Sequence, residues 1–315
     1  MWGVPVNDSM VHRYVQDYGG RVEEHLEQET ERILEPATRQ EALAELEDPV
    51  DAGADNSLVI MMDGWMIRER GEQWGLKPAE QQVKDRVEWH EMKTGIVFQL
   101  CDRGATQSGR RMLVKKFYEA WRGDPYEFGR RLFALALRHG LRRTRRVYVI
   151  ADGAVWIWNL AQDRFSDAVH VLDFYHAAEH LWVVAEALFP DDPKQARQWW
   201  ELHKQRLREK GEMQVDRLLE ELTLHAETMK GALAKVIKKE YGYFEHNRNR
   251  MPYPRLEQHN VPIGSGAIES TCGQFQDRLK RCGQFWTQKG CRNLVALDLA
   301  DRNNDWNRIW QKCAA

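Results

Sequence analysis

The chain has 315 residues, of which 43% are hydrophobic and 30% charged, an ordinary composition for a globular protein. Lys and Arg together number 46 and Asp and Glu 48, so the net charge of −2 excludes a globally basic nucleic-acid binder and leaves only local basic segments for such a role. No stretch approaches the roughly 18 apolar residues of a membrane span, and no secretory leader is evident, so neither a membrane protein nor a secreted one is predicted.

The elements predicted in the amino-terminal half are helical first and then extended. Residues 9–35 carry apolar positions at helical spacing and predict one or two helices, and the Pro- and Gly-containing segment 47–57 predicts a linker. Strands are expected at 58–63, at 87–91 with 94–101, and at 147–152. Between the last two, the apolar face of 125–141 predicts a helix that stops near Gly140.

The carboxy-terminal half is mainly helical. A strand at 169–174, a helix at 177–189, two or three amphipathic helices over 190–250, a break at 251–256, a glycine-rich turn that opens a helix within 261–283, and a final helix over 290–311 are expected. Strands that alternate with helices predict an α/β sheet, in which the helical block looks like an insertion. The five cysteines include no C-x-x-C pair, which predicts free thiols in a reducing cytosol.

Two apolar runs end in an Asp-Gly pair. LVIMMDGW (58–65) and VYVIADGAVW (147–156) place Asp63 and Asp152 where buried strands are expected to stop. Ligands in α/β proteins bind at the carboxyl ends of strands, and two adjacent carboxylates repel unless a cation such as Mg²⁺ or Mn²⁺ neutralises them. Asp-Gly is also a common turn signal, so a purely structural turn is an equal alternative at each site.

A third acid, Glu269, follows a glycine-rich turn. In IGSGAIES (263–270) it falls in the first helical turn, where an acid complements the helix dipole. A reciprocal capping box would need Ser or Thr three residues earlier, and position 266 is glycine. The commonest local reason for an acid at this position is therefore missing.

These motifs resemble a known family. Asp63 in MMDGW, Asp152 in ADGAVWIW and Glu269 in GSGAIES resemble the acidic triad of DDE transposases, above all those of ISKra-type bacterial insertion sequences, which are related to Mutator-like elements. Asp173 and His176 in DFYH are similar to the C/D-x-x-H motif of Mutator-like transposases. The order and spacing carry the resemblance, with 89 residues from 63 to 152 and 117 from 152 to 269, over about residues 1–312. The chain departs from its relatives at MWGVPVNDSM, where they carry longer DNA-binding segments, so a shortened form is expected.

The resemblance implies a fold and an activity. The fold is a ribonuclease H-like α/β core, a mixed sheet flanked by helices, interrupted by an α-helical insertion. The implied parts are a helical segment at 1–56, a first core part at 57–189, an insertion at 190–255 and a second core part at 256–315. Two Mg²⁺ or Mn²⁺ ions held by Asp63, Asp152 and Glu269, with His176 orienting the site, would support DNA cleavage and strand transfer at transposon ends. A homodimer in the bacterial cytoplasm, associated with the nucleoid, is also implied.

Basic residues supply the expected DNA contacts. Arg278, Lys280 and Arg281 follow Glu269 on what is expected to be the same helix, and KVIKK contributes Lys235, Lys238 and Lys239. Each group also fits an ordinary solvated helix face. Trp286, after the basic segment, is a candidate for stacking on a splayed base.

Two alternative functions remain open from the sequence. A ribonuclease H-like nuclease without strand transfer would use the same carboxylates, and a non-catalytic DNA-binding remnant of a transposase would keep the basic segments. His180 is expected to be packed or hydrogen-bonded, because no third zinc ligand is evident beside His176. Asp173 fits either a turn after its strand or a fourth carboxylate of the site.

Overall fold

The computed structural model describes residues 7–46, 57–76, 86–107, 109 and 111–313. The strands are β1 (Ser57–Arg70), β2 (Val87–Gln99), β3 (Arg103–Ala105), β4 (Arg111–Leu113), β5 (Phe117–Arg122), β6 (Arg146–Ala151) and β7 (Val169–Leu172). The helices are α1 (Asp8–Leu34), α2 (Arg39–Leu46), α3 (Pro125–Arg138), α4 (Val155–Arg164), α5 (Phe174–Leu188), α6 (Pro193–Lys210), α7 (Glu212–Thr228), α8 (Gly231–Asn247), α9 (Tyr253–Gln258), α10 (Gly266–Leu279), α11 (Gln288–Arg302) and α12 (Trp306–Cys313).

Within the described residues, five strands form a mixed sheet in the order β5-β2-β1-β6-β7, and β3 and β4 form a separate hairpin. β1, β2 and β5 are antiparallel, whereas β6 and β7 are parallel. This mixed α/β architecture with flanking helices is compatible with the predicted ribonuclease H-like fold. The chain divides into two compact units, unit 1 (1–147, 162–166 and 266–315) and unit 2 (148–161 and 167–265).

In unit 1, helices cover both faces of the antiparallel strands. A Cβ on Gly95 of β2 would meet Leu132 of α3 at 2.8 Å, so α3 packs closely on that face. Neighbouring Thr94 points to the opposite face, where it interacts with Cys272 of α10. At the crossing of α1 with α11, a Cβ on Gly19 would lie 2.5 Å from the Asn293 carbonyl oxygen, so only glycine permits this close approach.

In unit 2, the parallel strands β6 and β7 are joined through α4, the usual crossover for parallel pairing. The helical block consists of α6, α7 and α8, which pack against α5 and one another. On α6, Nδ1 of buried His203 lies 2.9 Å from the Trp199 carbonyl oxygen, and its Nε2 lies 3.0 Å from the Glu221 carboxylate. The prediction of two or three helices over 190–250 is confirmed.

Several element boundaries differ from the sequence predictions. β1 does not stop at residue 63 but continues to Arg70, because it pairs with β2 as far as Val87. The prediction of a single final helix over 290–311 is wrong, since Asn304, with a φ of 57°, separates α11 from α12. Most of the predicted 47–57 linker lies outside the described residues. No described helix combines the length and apolar character needed to cross a membrane.

Candidate functional site

Asp63, the first predicted acid, lies in the middle of β1. The expectation that it ends a strand is wrong, because the register of β1 with β2 continues for seven residues past the Asp63–Thr94 pair, from Gly64 to Arg70. The Asp63 carboxylate accepts a hydrogen bond from the backbone N–H of Gly64 at 2.6 Å. A Cβ on Gly64 would lie 2.4 Å from the Glu91 carboxylate oxygen, which is the movable end of a flexible side chain.

Asp63 and Glu269 have a common neighbour in unit 1, the buried thiol of Cys272 on α10. Burial raises the pKa of Cys272, and both carboxylates raise it further, Asp63 also through a hydrogen bond with the thiol. Cys272 therefore stays protonated and donates to Asp63. Thr94, the cross-strand partner of Asp63, interacts with the same thiol and accepts the Trp65 indole N–H at 3.0 Å.

Lys116 fixes the first turns of α10, although sequence reasoning missed it. Its ammonium donates to the Thr271 hydroxyl at 2.8 Å and lies 3.5 Å from the Ala267 carbonyl oxygen, on either side of Glu269. Burial lowers the pKa of Lys116, as does the nearby guanidinium of Arg302. Nothing in the local sequence signals this contact, which joins residues about 150 positions apart.

In unit 2, Asp152 directly follows β6 in a tight turn. Its carboxylate accepts the backbone N–H of Ala154 at 3.0 Å, so Asp-Gly forms a turn at this position. Gly153 has a φ of +108°, and a Cβ there would lie 3.1 Å from Leu172 and 3.4 Å from the Tyr243 ring. The sequence requires glycine here for backbone conformation and for space.

Asp173 follows β7 at the position that corresponds to Asp152, since Ala151 and Leu172 are register partners. One Asp173 oxygen accepts the N–H groups of Tyr175 and His176 and thereby caps α5. The other accepts the backbone N–H and hydroxyl of Ser265. Asp173 is fully buried, and these four donors account for its place at the strand end as a structural carboxylate.

Tyr243 lies beside these aspartates in unit 2. Burial raises the pKa of its hydroxyl, and the charges of Asp152 and Asp173 raise it further. In the part of the chain that the structure describes, this buried hydroxyl has no hydrogen-bond partner. Its ring stacks on His180 at 3.5 Å, and the His180 ring bonds to buried Glu240 at 2.5 Å, which confirms His180 as a hydrogen-bonded, packed histidine.

His176 lies one turn before His180 on α5. Its backbone N–H donates to Asp173, and its half-exposed ring lies 3.4 Å from the Glu179 carboxylate. The ring nitrogen that faces Glu179 is Nδ1. A role in orienting a metal site stays a prediction.

The predicted basic residues differ in how tightly they are held. Arg278 forms an ion pair at 3.2 Å with buried Asp298 of α11. Lys280 and Arg281 lie beyond the end of α10 at Leu279, so the expectation that they share its helix is wrong.

Trp286 donates its indole N–H to the Leu279 carbonyl at 2.7 Å and so holds the chain after α10. The three predicted lysines of α8 are exposed, namely Lys235, Lys238 and Lys239.

The structure thus places Asp63 and Glu269 near the Cys272 thiol in unit 1, and Asp152 and Asp173 near the Tyr243 hydroxyl in unit 2. Across the described ranges, no three His, Cys, Asp or Glu side chains are grouped closely enough to hold a metal ion as they stand. The donor chemistry of Asp63, Asp152 and Glu269 nevertheless suits Mg²⁺ or Mn²⁺, because all three offer hard carboxylate oxygens.

Comparisons with known proteins add little to this geometry. No family model and no curated protein matches the chain. Among solved structures it is similar to the Drosophila P element transposase strand transfer complex, with 12% identity over 96% of this chain and 81% of that one, at a TM-score of 0.26. It is also similar to NurA with manganese, with 12% identity over 91% of this chain and 65% of that one, at a TM-score of 0.11. At such TM-scores neither likeness decides the fold or the function.

Proposed function

We propose that the chain is a metal-dependent polynucleotidyl transferase, a transposase of the ISKra type that cleaves DNA at insertion-sequence ends and joins them to target DNA. The carboxylates proposed to act are Asp63, Asp152 and Glu269. One observation carries the proposal beyond the sequence resemblance. Asp63 and Glu269 are 206 residues apart in sequence (63 to 269), yet both lie close enough to Cys272 to raise the pKa of its thiol.

The mechanism assigns a role to each residue. Asp63, Asp152 and Glu269 are the carboxylates proposed to hold Mg²⁺ or Mn²⁺. Such ions, when bound, activate water or a 3′-hydroxyl and stabilise the leaving oxygen. The Cys272 thiol donates to Asp63 and orients that carboxylate. Lys116 fixes the turn of α10 that carries Glu269.

The test is cleavage of labelled DNA that carries the flanking inverted repeats, with Mg²⁺ or Mn²⁺ as the only divalent ion. Asp63→Asn, Asp152→Asn and Glu269→Gln should each slow nicking by on the order of 10³-fold, because each removes an anionic oxygen from the proposed metal site. Exposed Asp301→Asn in unit 1 and Asp167→Asn in unit 2 are matched controls that should leave the rate unchanged. A wild-type rate in any of the three acid variants removes that residue from the site.

A nuclease without strand transfer is the second candidate, because it would use the same acids. Incubation with a pre-cleaved DNA donor that ends in a 3′-hydroxyl and a supercoiled target plasmid separates the two activities. Donor-linked plasmid supports the transposase, whereas nicked plasmid without joined donor supports the nuclease. Binding without cleavage under any divalent ion would support the non-catalytic remnant.

A further inference from the structure

Unit 1 carries a dense group of aromatic and cationic side chains at the end of the β1–β2 hairpin. We call it the cation–aromatic surface. It consists of Arg68, Arg70, Trp74, Arg86, Trp89, Lys280, Arg281 and Phe285. Sequence reasoning singled out only Lys280 and Arg281, because the other members come from distant segments.

Each aromatic ring of this surface has a cation over it. The Lys280 ammonium lies 5.3 Å from the centre of the Trp89 ring, and the Arg68 guanidinium lies 5.1 Å from that of Phe285. Arg70 and Arg86 lie 5.4 Å and 5.6 Å from the Trp74 ring. Trp74 and Phe285 also contact one another, with ring centres 4.8 Å apart.

Backbone contacts hold the segment after α10 against β1. The Arg68 guanidinium donates to the carbonyl oxygens of Arg281 at 2.6 Å and Lys280 at 3.3 Å. Trp286 pairs through its backbone with both Arg68 and Arg70, at 3.2 Å and 2.8 Å. The surface is therefore built by a strand and a segment more than 200 residues apart. Trp286, the predicted stacking residue, is used for this anchoring.

Trp89 is the ring that is most open to a ligand. It is 52% exposed, and its register partner on β1 is Arg68. The carboxylate nearest in sequence, Glu88, is bonded to His90 at 3.0 Å. Side chains alternate along a strand, so Arg68 points to the face of β1 opposite Asp63, and the surface can be altered without touching the Asp63–Cys272 contact.

We propose that the cation–aromatic surface binds an unpaired strand of nucleic acid, with Trp89 stacked on a base and Lys280 and the arginines on phosphates. The proposal rests on the proposed function for its class of ligand and adds the strand state and the residues. Aromatic platforms in a cationic setting bind single strands in this way, because every base has a face for stacking. In a duplex that face is covered by the neighbouring pairs, so an exposed tryptophan favours the unpaired strand.

The test is anisotropy of a labelled oligothymidylate of roughly 16 nucleotides, the upper site size of such surfaces, in EDTA so that cleavage plays no part. Trp89→Ala should weaken binding by roughly 5- to 150-fold, the range for loss of one base–aromatic stack. Trp89→Phe should keep most of the affinity. Lys280→Ala should reduce the slope of log affinity against log salt by about 0.7. Trp306→Ala, at a tryptophan of α12 that is 37% exposed, is the matched control and should bind like wild type.

Three results would overturn the proposal. These are wild-type affinity in Trp89→Ala with an unchanged melting temperature, an equal loss for the single strand and its duplex, and equal displacement of the strand by poly-glutamate, which would indicate an acidic protein partner. Should Trp89→Ala unfold, an unchanged salt slope in Lys280→Ala overturns it instead. Asp301→Asn, the exposed unit 1 control, should bind oligothymidylate normally. If the wild-type protein binds oligothymidylate through Trp89 but cleaves no DNA with Mg²⁺ or Mn²⁺, only the proposed function is refuted. If it cleaves DNA but Trp89→Ala binds oligothymidylate like wild type, only this inference is refuted.

Discussion

Asp152 and Asp173 occupy equivalent places in unit 2, yet the structure uses them differently. Each directly follows a parallel strand, and the residues before them are register partners. Asp173 is fully buried and accepts four hydrogen bonds from α5 and the Ser265 turn. Asp152 is only half-buried and accepts one backbone bond, from Ala154. Two aspartates at equivalent strand ends therefore differ in the number of hydrogen-bond donors that they bind.

The largest expected effect is on stability at Asp173. Asp173→Ala should lower the free energy of unfolding by about 3 kcal/mol, because it leaves two buried Ser265 donors and two part-buried N–H groups of α5 without their acceptor. Asp152→Ala should change it by less than about 0.5 kcal/mol, since the side chain makes one local turn bond. Urea unfolding of both variants measures the difference. Equal losses would break the contrast between the two aspartates.

Glu119 sharpens the contrast from unit 1, because it is a carboxylate with few donors. Burial raises its pKa to about 7, against a nearby Arg131 that lowers it, and Ala120 N–H is its bonded donor at 3.0 Å. A raised pKa means that Glu119 stabilises the fold while protonated and that this stability is lost as pH rises through 7. Glu119→Gln should therefore be more stable than wild type near pH 8, by at most about 3 kcal/mol, and similar near pH 5.

Thermal unfolding at both pH values, with Glu186→Gln on the exposed surface of α5 as control, tests the Glu119 prediction. The control Glu186→Gln should differ from wild type in stability by the same amount near pH 8 as near pH 5. An identical pH profile in wild type and Glu119→Gln would show that burial with few donors is not what distinguishes Glu119 from Asp173.

The turn after Asp152 is expected to contribute a smaller amount. Gly153→Ala should cost about 1–2 kcal/mol, because φ is +108° and the added Cβ contacts Leu172. Gly273→Ala, at an α10 position where a Cβ meets nothing within 4 Å, should instead be neutral or slightly stabilising. Chemical unfolding of the pair provides the measurement. A neutral Gly153→Ala would mean that the Asp152 turn adapts freely.

The smallest expected effect concerns Tyr243. Tyr243→Phe should leave stability unchanged, since the buried hydroxyl has no described hydrogen-bond partner. If Asp152 acts on DNA, this hydroxyl is available to a phosphate oxygen, and its loss should lower the cleavage rate about tenfold, the worth of one hydrogen bond. Single-turnover cleavage at saturating DNA measures it. Full activity in Tyr243→Phe would assign the residue to stacking on His180 alone.

Local sequence patterns predicted the strongly periodic elements but not their limits. The apolar run at 147–152 and the helix at 125–141 are marked by composition and by Gly140, and both are found. The length of β1 is not marked locally, because residues 64–70 are extended through pairing with β2. The break between α11 and α12 depends on one left-handed asparagine, a conformation that asparagine permits but does not require.

The candidate site was predictable only as a set of residue types. The three acids could be named from their flanking sequence motifs, and the turn at Asp152 could be predicted from the Asp-Gly pair. The Cys272 contact, the Lys116 anchor and the exposure of Trp89 each depend on segments far apart in the chain. Tertiary contacts of this kind leave no periodic or compositional trace, so a single sequence cannot indicate them.

The buried, protonated Cys272 also makes the chain suitable for chemical labelling. Maleimides react with accessible thiolates, so exposed Cys282, next to Arg281, should be modified in the native protein while Cys272 is spared. In a variant that combines Cys101→Ser and Cys313→Ser, a fluorophore attached to Cys282 would report on ligands that bind nearby. Slow alkylation of Cys272, distinguished from that of buried Cys291 by peptide mapping, would then measure how often α10 separates from β1.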